Sequence, residues 1–99
     1  MKNSVAIQIL PNAASDKEVV RIVDEVIAYI ESTGLNYYVG PFETAIEGDD
    51  YDQLMEVVTN CCKVAVRAGS DKVSAYVKIA HSSKEDILTI DEKVTKHHK

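Results

Sequence analysis

The stretch LNYYVGPFETAIEGD, residues 35–49, decides the fold because it contains two β-prone runs and the turn between them. LNYYV (35–39) and TAIE (44–47) are rich in the β-branched and aromatic residues that favour strands. The connection GPFE (40–43) is four residues long and contains Gly and Pro, which is typical of a β-hairpin. The centre of the chain is therefore predicted to be a hairpin whose second strand ends at Gly48.

A helix is predicted on each side of this hairpin. Upstream, Ser15 is a candidate N-cap with Glu18 three residues later, and Gly34 ends the segment. Downstream, the acidic residues of 49–52 suit the positive end of a helix that stops at Gly69. Both segments carry apolar residues at helical spacing, Val19, Ile22, Val23, Val26, Ile27 and Ile30 in the first and Leu54, Met55, Val58, Cys61 or Cys62, Ala65 and Ala68 in the second.

The outermost segments alternate as strands do. VAIQIL (5–10) is a strand with one strongly apolar face that Pro11 ends, and KVSAYVKI (72–79) repeats the pattern. The order β-α-β-β-α-β predicts an α+β, ferredoxin-like domain over residues 1–99, with a four-stranded antiparallel sheet and both helices on one face. The chain of 99 residues is long enough for one core and too short for two.

The other face of this sheet has no helix to cover it. After the last strand, Thr89 can cap a short helix in which Glu92 closes a capping box and Ile90 and Val94 lie on one side. A helix this short is marginal alone, so we expect it to dock on its own sheet or on a neighbouring subunit. The bare face and the short helix favour a homo-oligomer. The residues expected on that face are Gln8, Tyr38, Ala45, Glu47, Tyr76 and Lys78.

Charge and hydropathy argue against nucleic acid and membranes as partners. The net charge is −5 and the Lys and Arg residues are scattered singly, so no basic stripe is present to neutralise phosphates. No apolar run approaches the roughly 20 residues that span a bilayer, and the N-terminal apolar run is shorter than that of a secretory signal. We therefore expect a cytoplasmic protein.

Catalytic and metal sites are not expected. Cys61 and Cys62 are adjacent, where a disulfide would be strained and close almost no loop, so we expect two reduced thiols on a helix with one of them facing the core. His81 lies beside Ser82 and Ser83, but side chains this close in sequence rarely form a nucleophile and base pair. No Gly-rich phosphate loop or paired metal-ligand motif appears. The sequence therefore does not predict an enzyme.

Glu47 is the carboxylate that invites a functional interpretation. It is either a strand-end residue paired with Lys78 or Lys72, or a receptor for the N–H donors of an amino-bearing ring on which a tyrosine stacks. Tyr37 and Tyr38 are adjacent in a strand and must face opposite ways. One of them is expected in the core, and the other is free to meet a ligand or a partner.

Three segments carry a family resemblance. GLNYYVGPFETAIEGD (34–49), KVSAYVKI (72–79) and LTIDEKV (88–94), after a first strand that ends at Pro11, resemble the small thiamine-binding, YkoF-like family over nearly the whole chain. The resemblance implies a ferredoxin-like fold and binding of thiamine or its hydroxymethylpyrimidine part without catalysis and without a further cofactor. It also implies assembly into dimers or tetramers, most simply a homotetramer, through the sheets and the C-terminal helices.

The resemblance also implies a ligand site. Tyr37, Thr44, Glu47 and Lys78 align with recurrent family residues, and the pyrimidine is expected to hydrogen-bond to Glu47 and to a side chain such as Gln8 or Thr44, with a tyrosine against the ring. Thr44 and Glu47 point to opposite faces of a regular strand, so they share a pocket only if a bulge or twist intervenes.

Two departures from the family pattern bear on the ligand. Glu43 stands where glycine is common, and residues 80–83 replace a charged run. An acidic chain without a phosphate cradle favours the neutral vitamin or its cation over the pyrophosphate form. The alternative function is a structural or regulatory assembly module that binds no small molecule.

Overall fold

The computed structural model describes residues 1–98, and its elements follow the predicted order. The strands form one sheet in the order β2-β3-β1-β4, with every neighbouring pair antiparallel. This is the predicted ferredoxin-like sheet. The elements are β1 (Asn3–Pro11), α1 (Asp16–Ser32), β2 (Asn36–Val39), β3 (Thr44–Gly48), α2 (Tyr51–Arg67), β4 (Val73–His81) and α3 (Ile90–Val94), followed by a 3₁₀ turn over Thr95–His97.

Local sequence sets the ends of both long helices. The side chains of Ser15 and Asp50 each accept a hydrogen bond from the backbone N–H three residues on, as N-caps do. Gly34 and Gly69 follow the C-terminal ends with φ of +76° and +124°, a region in which a side chain would be strained. The predicted start of α1 and the predicted stops of both helices are therefore confirmed.

The core lies between α1, α2 and the face of the sheet that they cover. Cys61 is buried in it and Cys62 is half-buried, and both thiols are free, as expected. Desolvation, followed by the neighbouring Cys62, raises the pKa of the Cys61 thiol to about 12. The buried cluster consists of Val5, Ile7, Ile22, Val26, Ile30, Ile46, Leu54, Val57, Cys61 and Ala65.

β4 forms one edge of the sheet and is exposed along most of its nine residues. Val77 and Ile79 pair with Ile7 and Val5 and so share the helix-covered face, yet both are exposed. Tyr76 is exposed on the opposite face. The strand therefore presents large apolar side chains on both faces beside an edge that no strand of residues 1–98 pairs with. Within residues 1–98, no helix combines the length and the apolar character needed to cross a membrane.

α3 docks on the face of the sheet opposite the long helices, which we call the open face. Thr89 and Glu92 form the predicted capping box. Ile90 is buried and its backbone N–H donates a hydrogen bond of 2.9 Å to Glu47 Oε2 on β3. Of the two expected docking places, its own sheet or a neighbouring subunit, the helix occupies its own sheet, at the β3 end of the open face.

Candidate functional site

The pairing of β1 with β3 places Thr44 and Glu47 on opposite faces of the sheet. Thr44 pairs with Ile7 on the helix-covered face, whereas Glu47 pairs with Ser4 on the open face. The register between these two pairs advances one residue at a time, without the extra residue of a bulge. The two predicted site residues therefore do not share a pocket in one chain.

Glu47 is a buried carboxylate whose two oxygens both accept hydrogen bonds. The residue is 3% exposed, Oε1 accepts from Asn36 Nδ2 at 2.7 Å, and Oε2 accepts from the Ile90 backbone N–H at 2.9 Å. Two charge-assisted hydrogen bonds offset much of the cost of burying the carboxylate. Lys78, one expected partner of Glu47, instead forms an exposed ion pair of 3.1 Å with Glu43.

A cleft of about 220 Å³ opens on the other face of β3, between α1, the last residues of β1 and the β2–β3 turn. We call it the hairpin cleft. Aliphatic side chains make up most of its wall, and the turn closes one side. The residues that line it include Gln8, Val23, Ile27, Phe42, Glu43 and Thr44.

Thr44 is the buried polar side chain of this cleft. It is 8% exposed, and its hydroxyl has no hydrogen-bond partner among residues 1–98. Every fully buried side-chain oxygen or nitrogen of the described residues has a partner, so the Thr44 hydroxyl is accessible from the cleft. A hydroxyl held in an apolar wall without a partner can donate and accept hydrogen bonds, which is the kind of polar group that orients a small ligand.

The hairpin cleft carries a single negative charge in its wall. Glu43 is the one ionisable residue of the lining within residues 1–98, and Lys78 reaches it from the open face. Both side chains are substantially exposed, so water screens the pair. Since the wall offers no cation to a phosphate, the hairpin cleft suits a neutral or cationic group.

The remaining predicted residues are distributed around the sheet. Gln8 lines the hairpin cleft, although its pairing with Tyr76 directs its side chain towards the open face. Tyr37 packs against the core, and its hydroxyl donates a 3.3 Å hydrogen bond to Glu31. Desolvation and then the Glu31 carboxylate raise the pKa of Tyr37. Tyr38 faces the other way, as predicted for adjacent tyrosines, and its hydroxyl lies 2.8 Å from His98 Nε2.

Of the five predicted site residues, Thr44 and Gln8 line the hairpin cleft, but only Thr44 directs its side chain to that face of the sheet. The structure gives Tyr37, Glu47 and Lys78 partners elsewhere in the chain, and their contact with a ligand stays a prediction.

The sequence interpretation missed Val23, Ile27 and Phe42. A signal for the first two was present, since the apolar stripe of α1 is wider than its fully buried residues Ile22, Val26 and Ile30 require. Val19, Val23 and Ile27 are the surplus, and the last two form a wall of the cleft.

His81 belongs to a different cluster, at the opposite end of the sheet. Its Nδ1 lies 2.5 Å from Asn3 Oδ1, and its ring centroid lies 4.6 Å from that of Tyr51. Because the Asn3 amide nitrogen donates to the Gly48 carbonyl, the Asn3 oxygen is the acceptor and His81 Nδ1 the donor. The ring is therefore a structural tie between β1 and β4.

Comparison with known proteins identifies a family, a close relative in sequence and solved structures with the same fold. The family model for thiamine-binding proteins matches residues 5–98. A UPF0045 protein of Clostridium perfringens is 42% identical over 94 residues, which is 95% of each chain. The solved structure of a DUF77 domain from Bacillus cereus is 33% identical, with a TM-score of 0.83, over 97% of this chain and 89% of the other. A Thermotoga maritima structure, described as a candidate thiamine biosynthesis or salvage protein, is 28% identical with a TM-score of 0.81, over 98% and 99% of the two chains.

Proposed function

We propose that this chain, which belongs to the thiamine-binding protein family, binds thiamine or its hydroxymethylpyrimidine part in the hairpin cleft and releases it unchanged. The observation that carries the proposal is Thr44, a residue 8% exposed in the wall of an apolar cleft whose hydroxyl lacks a partner within residues 1–98. Because the hydroxyl is accessible from the cleft, water can hydrogen-bond to it in the free protein. A bound ligand with a hydrogen-bonding ring edge takes the place of that water.

Size and charge support a single ring rather than the whole pyrophosphate vitamin inside the cleft. Its volume of about 220 Å³ lies below the roughly 300–1,000 Å³ of sites that enclose drug-sized ligands. The acidic Glu43 at the wall disfavours a phosphate group. We therefore place the aminopyrimidine in the cleft with its polar edge at Thr44, and the thiazolium or hydroxymethyl end towards the solvent.

The role we propose is transport, storage or sensing of the ligand in the cytoplasm. The name of the family describes binding, and the cleft lining contains no histidine, cysteine or lysine to act as a base or nucleophile within residues 1–98.

The test is a calorimetric titration of the purified protein with thiamine, hydroxymethylpyrimidine and thiamine pyrophosphate, accompanied by thermal melts at large ligand excess. Ligand that binds only the folded state raises the Tm by mass action. We expect binding of the first two and weaker binding of the pyrophosphate. Absence of heat and of any Tm shift with all three compounds contradicts the proposal and favours the assembly module.

We further propose that copies of the chain associate through β4, giving a dimer or a tetramer. The supporting observation is its exposed edge, which carries Tyr76, Val77 and Ile79 and contains no proline. Exposed edges of this kind pair with other strands unless they are short, bulged or charged. Lys78 is the one charged residue of β4 itself.

Sedimentation of two valine variants tests the association. Val77→Lys adds a charge to the exposed apolar surface of β4 and is expected to lower the mass in solution, whereas Val20→Lys changes an exposed valine of α1 and is expected to leave the mass unchanged. A wild-type protein that sediments as a monomer, or a Val77→Lys variant with the wild-type mass, contradicts association through this edge.

A further inference from the structure

Phe42 is the single phenylalanine of the chain, and it is 79% exposed at the tip of the β2–β3 turn. The base of this turn is held in place, because the Gly40 N–H donates a 2.9 Å hydrogen bond to the Glu43 carbonyl. A side chain at Gly40 would lie 2.9 Å from that same carbonyl oxygen, so the close approach requires glycine. The backbone of the turn is thus constrained, while the side chain at its tip is exposed to solvent.

The ring of Phe42 stands at the border of two clefts. On one side is the hairpin cleft, and on the other is a cleft of about 290 Å³ on the open face that Tyr38 and Val94 also line. In the open-face cleft the Tyr38 hydroxyl already has His98 as a partner. In the hairpin cleft the Thr44 hydroxyl has none within the described residues, so the unsatisfied polar group lies on that side.

We propose that Phe42 is a specificity-determining residue that closes over the hairpin cleft and stacks on a planar heteroaromatic ring hydrogen-bonded to Thr44. The inference rests on the proposed function, and it adds a residue and a closing movement to it. It also assigns the aromatic contact of the site to the turn rather than to a tyrosine of the sheet.

Two physical effects favour this arrangement. A planar ring seated against Val23 and Ile27 has one face on aliphatic wall and the other towards the cleft mouth, where Phe42 is the available aromatic side chain. Aromatic pairs are stabilised beyond simple burial when they stack with an offset. Since a phenylalanine has only two side-chain torsions, ordering it on a ligand costs little conformational entropy. Non-planar ligands of the same volume gain burial from Phe42 but no stacking, which is how the residue discriminates.

The experiment uses the full chain, with thiamine and hydroxymethylpyrimidine as probes. Phe42→Ala is expected to weaken binding of both by roughly tenfold, the factor that corresponds to about 1.4 kcal/mol. Phe42→Leu keeps apolar area without an aromatic face and is expected to fall between alanine and the wild type. Leu88→Ala is the matched control, since Leu88 is also an exposed large apolar residue and lines neither cleft. All three variants are expected to melt within a few degrees of the wild type because both positions are exposed.

A fluorescent reporter tests the closing movement directly. The chain has no tryptophan, so Phe42→Trp introduces a single indole at the turn and Leu88→Trp introduces one at the control position. Addition of thiamine or hydroxymethylpyrimidine is expected to change the emission of the first variant saturably, with the midpoint measured by calorimetry, and to leave that of the second unchanged.

The outcomes separate this inference from the function on which it rests. Wild-type binding together with unchanged affinity in Phe42→Ala overturns the role of Phe42 and leaves the proposed function standing. Failure of the wild type to bind either probe overturns both. An emission change that follows protein dilution instead of ligand shows that the ring packs on a second copy of the chain, and this too overturns the inference.

Discussion

Thr44 and Glu47 lie three residues apart on the same strand, and both are buried and polar. They differ in whether their polar atoms have hydrogen-bond partners. Glu47 faces the open side, where Asn36 and α3 satisfy both carboxylate oxygens. Thr44 faces the hairpin cleft, where no side chain or backbone group of residues 1–98 satisfies its hydroxyl. A buried polar group with all its partners holds a fold together, and one without partners is available to a ligand.

The largest effect that this comparison predicts is on stability, at Glu47. Glu47→Ala leaves the buried Ile90 N–H without an acceptor and releases Asn36, so the free energy of unfolding should fall by about 3 kcal/mol. Urea unfolding followed by circular dichroism measures it, and proteolysis of the segment after β4 should accelerate as α3 detaches.

The control for this substitution is Glu56→Ala, at an exposed position of α2. It should change the stability by less than about 0.5 kcal/mol. Equal stabilities for the Glu47 and Glu56 variants, with ligand affinity lost only in the former, would instead make Glu47 a ligand residue as the family resemblance implied.

A smaller loss of stability is expected at Asn36. Asn36→Ala removes the donor to Glu47 Oε1 and keeps the contact with α3, so the loss should be about 1.5 kcal/mol, half that of Glu47→Ala. The double variant should be no less stable than Glu47→Ala alone, because the lost hydrogen bond is the same one. Additive losses in the double variant would show that Asn36 acts independently of Glu47.

At Thr44 the expected effect moves from stability to binding. Thr44→Val preserves the shape of the side chain and removes the unpartnered hydroxyl, so stability should be unchanged or slightly higher while binding of hydroxymethylpyrimidine weakens by about 1 kcal/mol. Calorimetric titration measures the affinity, and Thr59→Val, at an exposed threonine of α2, is the matched control. Unaltered affinity in Thr44→Val would separate the ligand from the hairpin cleft.

The smallest expected effect concerns the two cysteines, of which Cys61 is buried and Cys62 is partly accessible. Burial raises the pKa of Cys61 to about 12, above its usual value of 9.0. The folded state therefore holds the Cys61 proton more tightly than the unfolded state, a contribution to stability that is complete below pH 9.0 and is lost as the pH rises towards 12. Iodoacetamide at pH 8.5 should label Cys62 alone in the folded protein and both thiols in denaturant, as mass spectrometry would show. Equal labelling of the two in the folded state would mean that α2 opens readily.

Much of the fold follows from local patterns that tertiary contacts did not override. Alternation predicted β1 and β4, the 3.6-residue stripe predicted both long helices, and Ser15, Gly34, Gly69 and Thr89 predicted where helices begin or end. Side-chain period and capping are properties of neighbours in sequence, so they can be read without knowledge of the fold.

The candidate site could be predicted only in part. Parity along β3 was sufficient to separate Thr44 from Glu47, and the unbroken register confirmed that separation. The hydrogen-bond partners of Glu47 could not be predicted from the sequence, because Asn36 and Ile90 lie 11 and 43 positions away in the chain. Lys78 likewise pairs with Glu43, at a separation of 35 residues, rather than with Glu47.

By itself the sequence determined the order of the elements, the face on which each strand residue lies and the resemblance to thiamine-binding proteins. Only the tertiary structure decided which buried polar groups are satisfied. That decision depends on hydrogen bonds between segments distant in the chain, whose distances are set by how the sheet, α1 and α3 pack together. The hairpin cleft exists for the same reason, since the gap between α1 and the β2–β3 turn is a property of their packing and not of either segment alone.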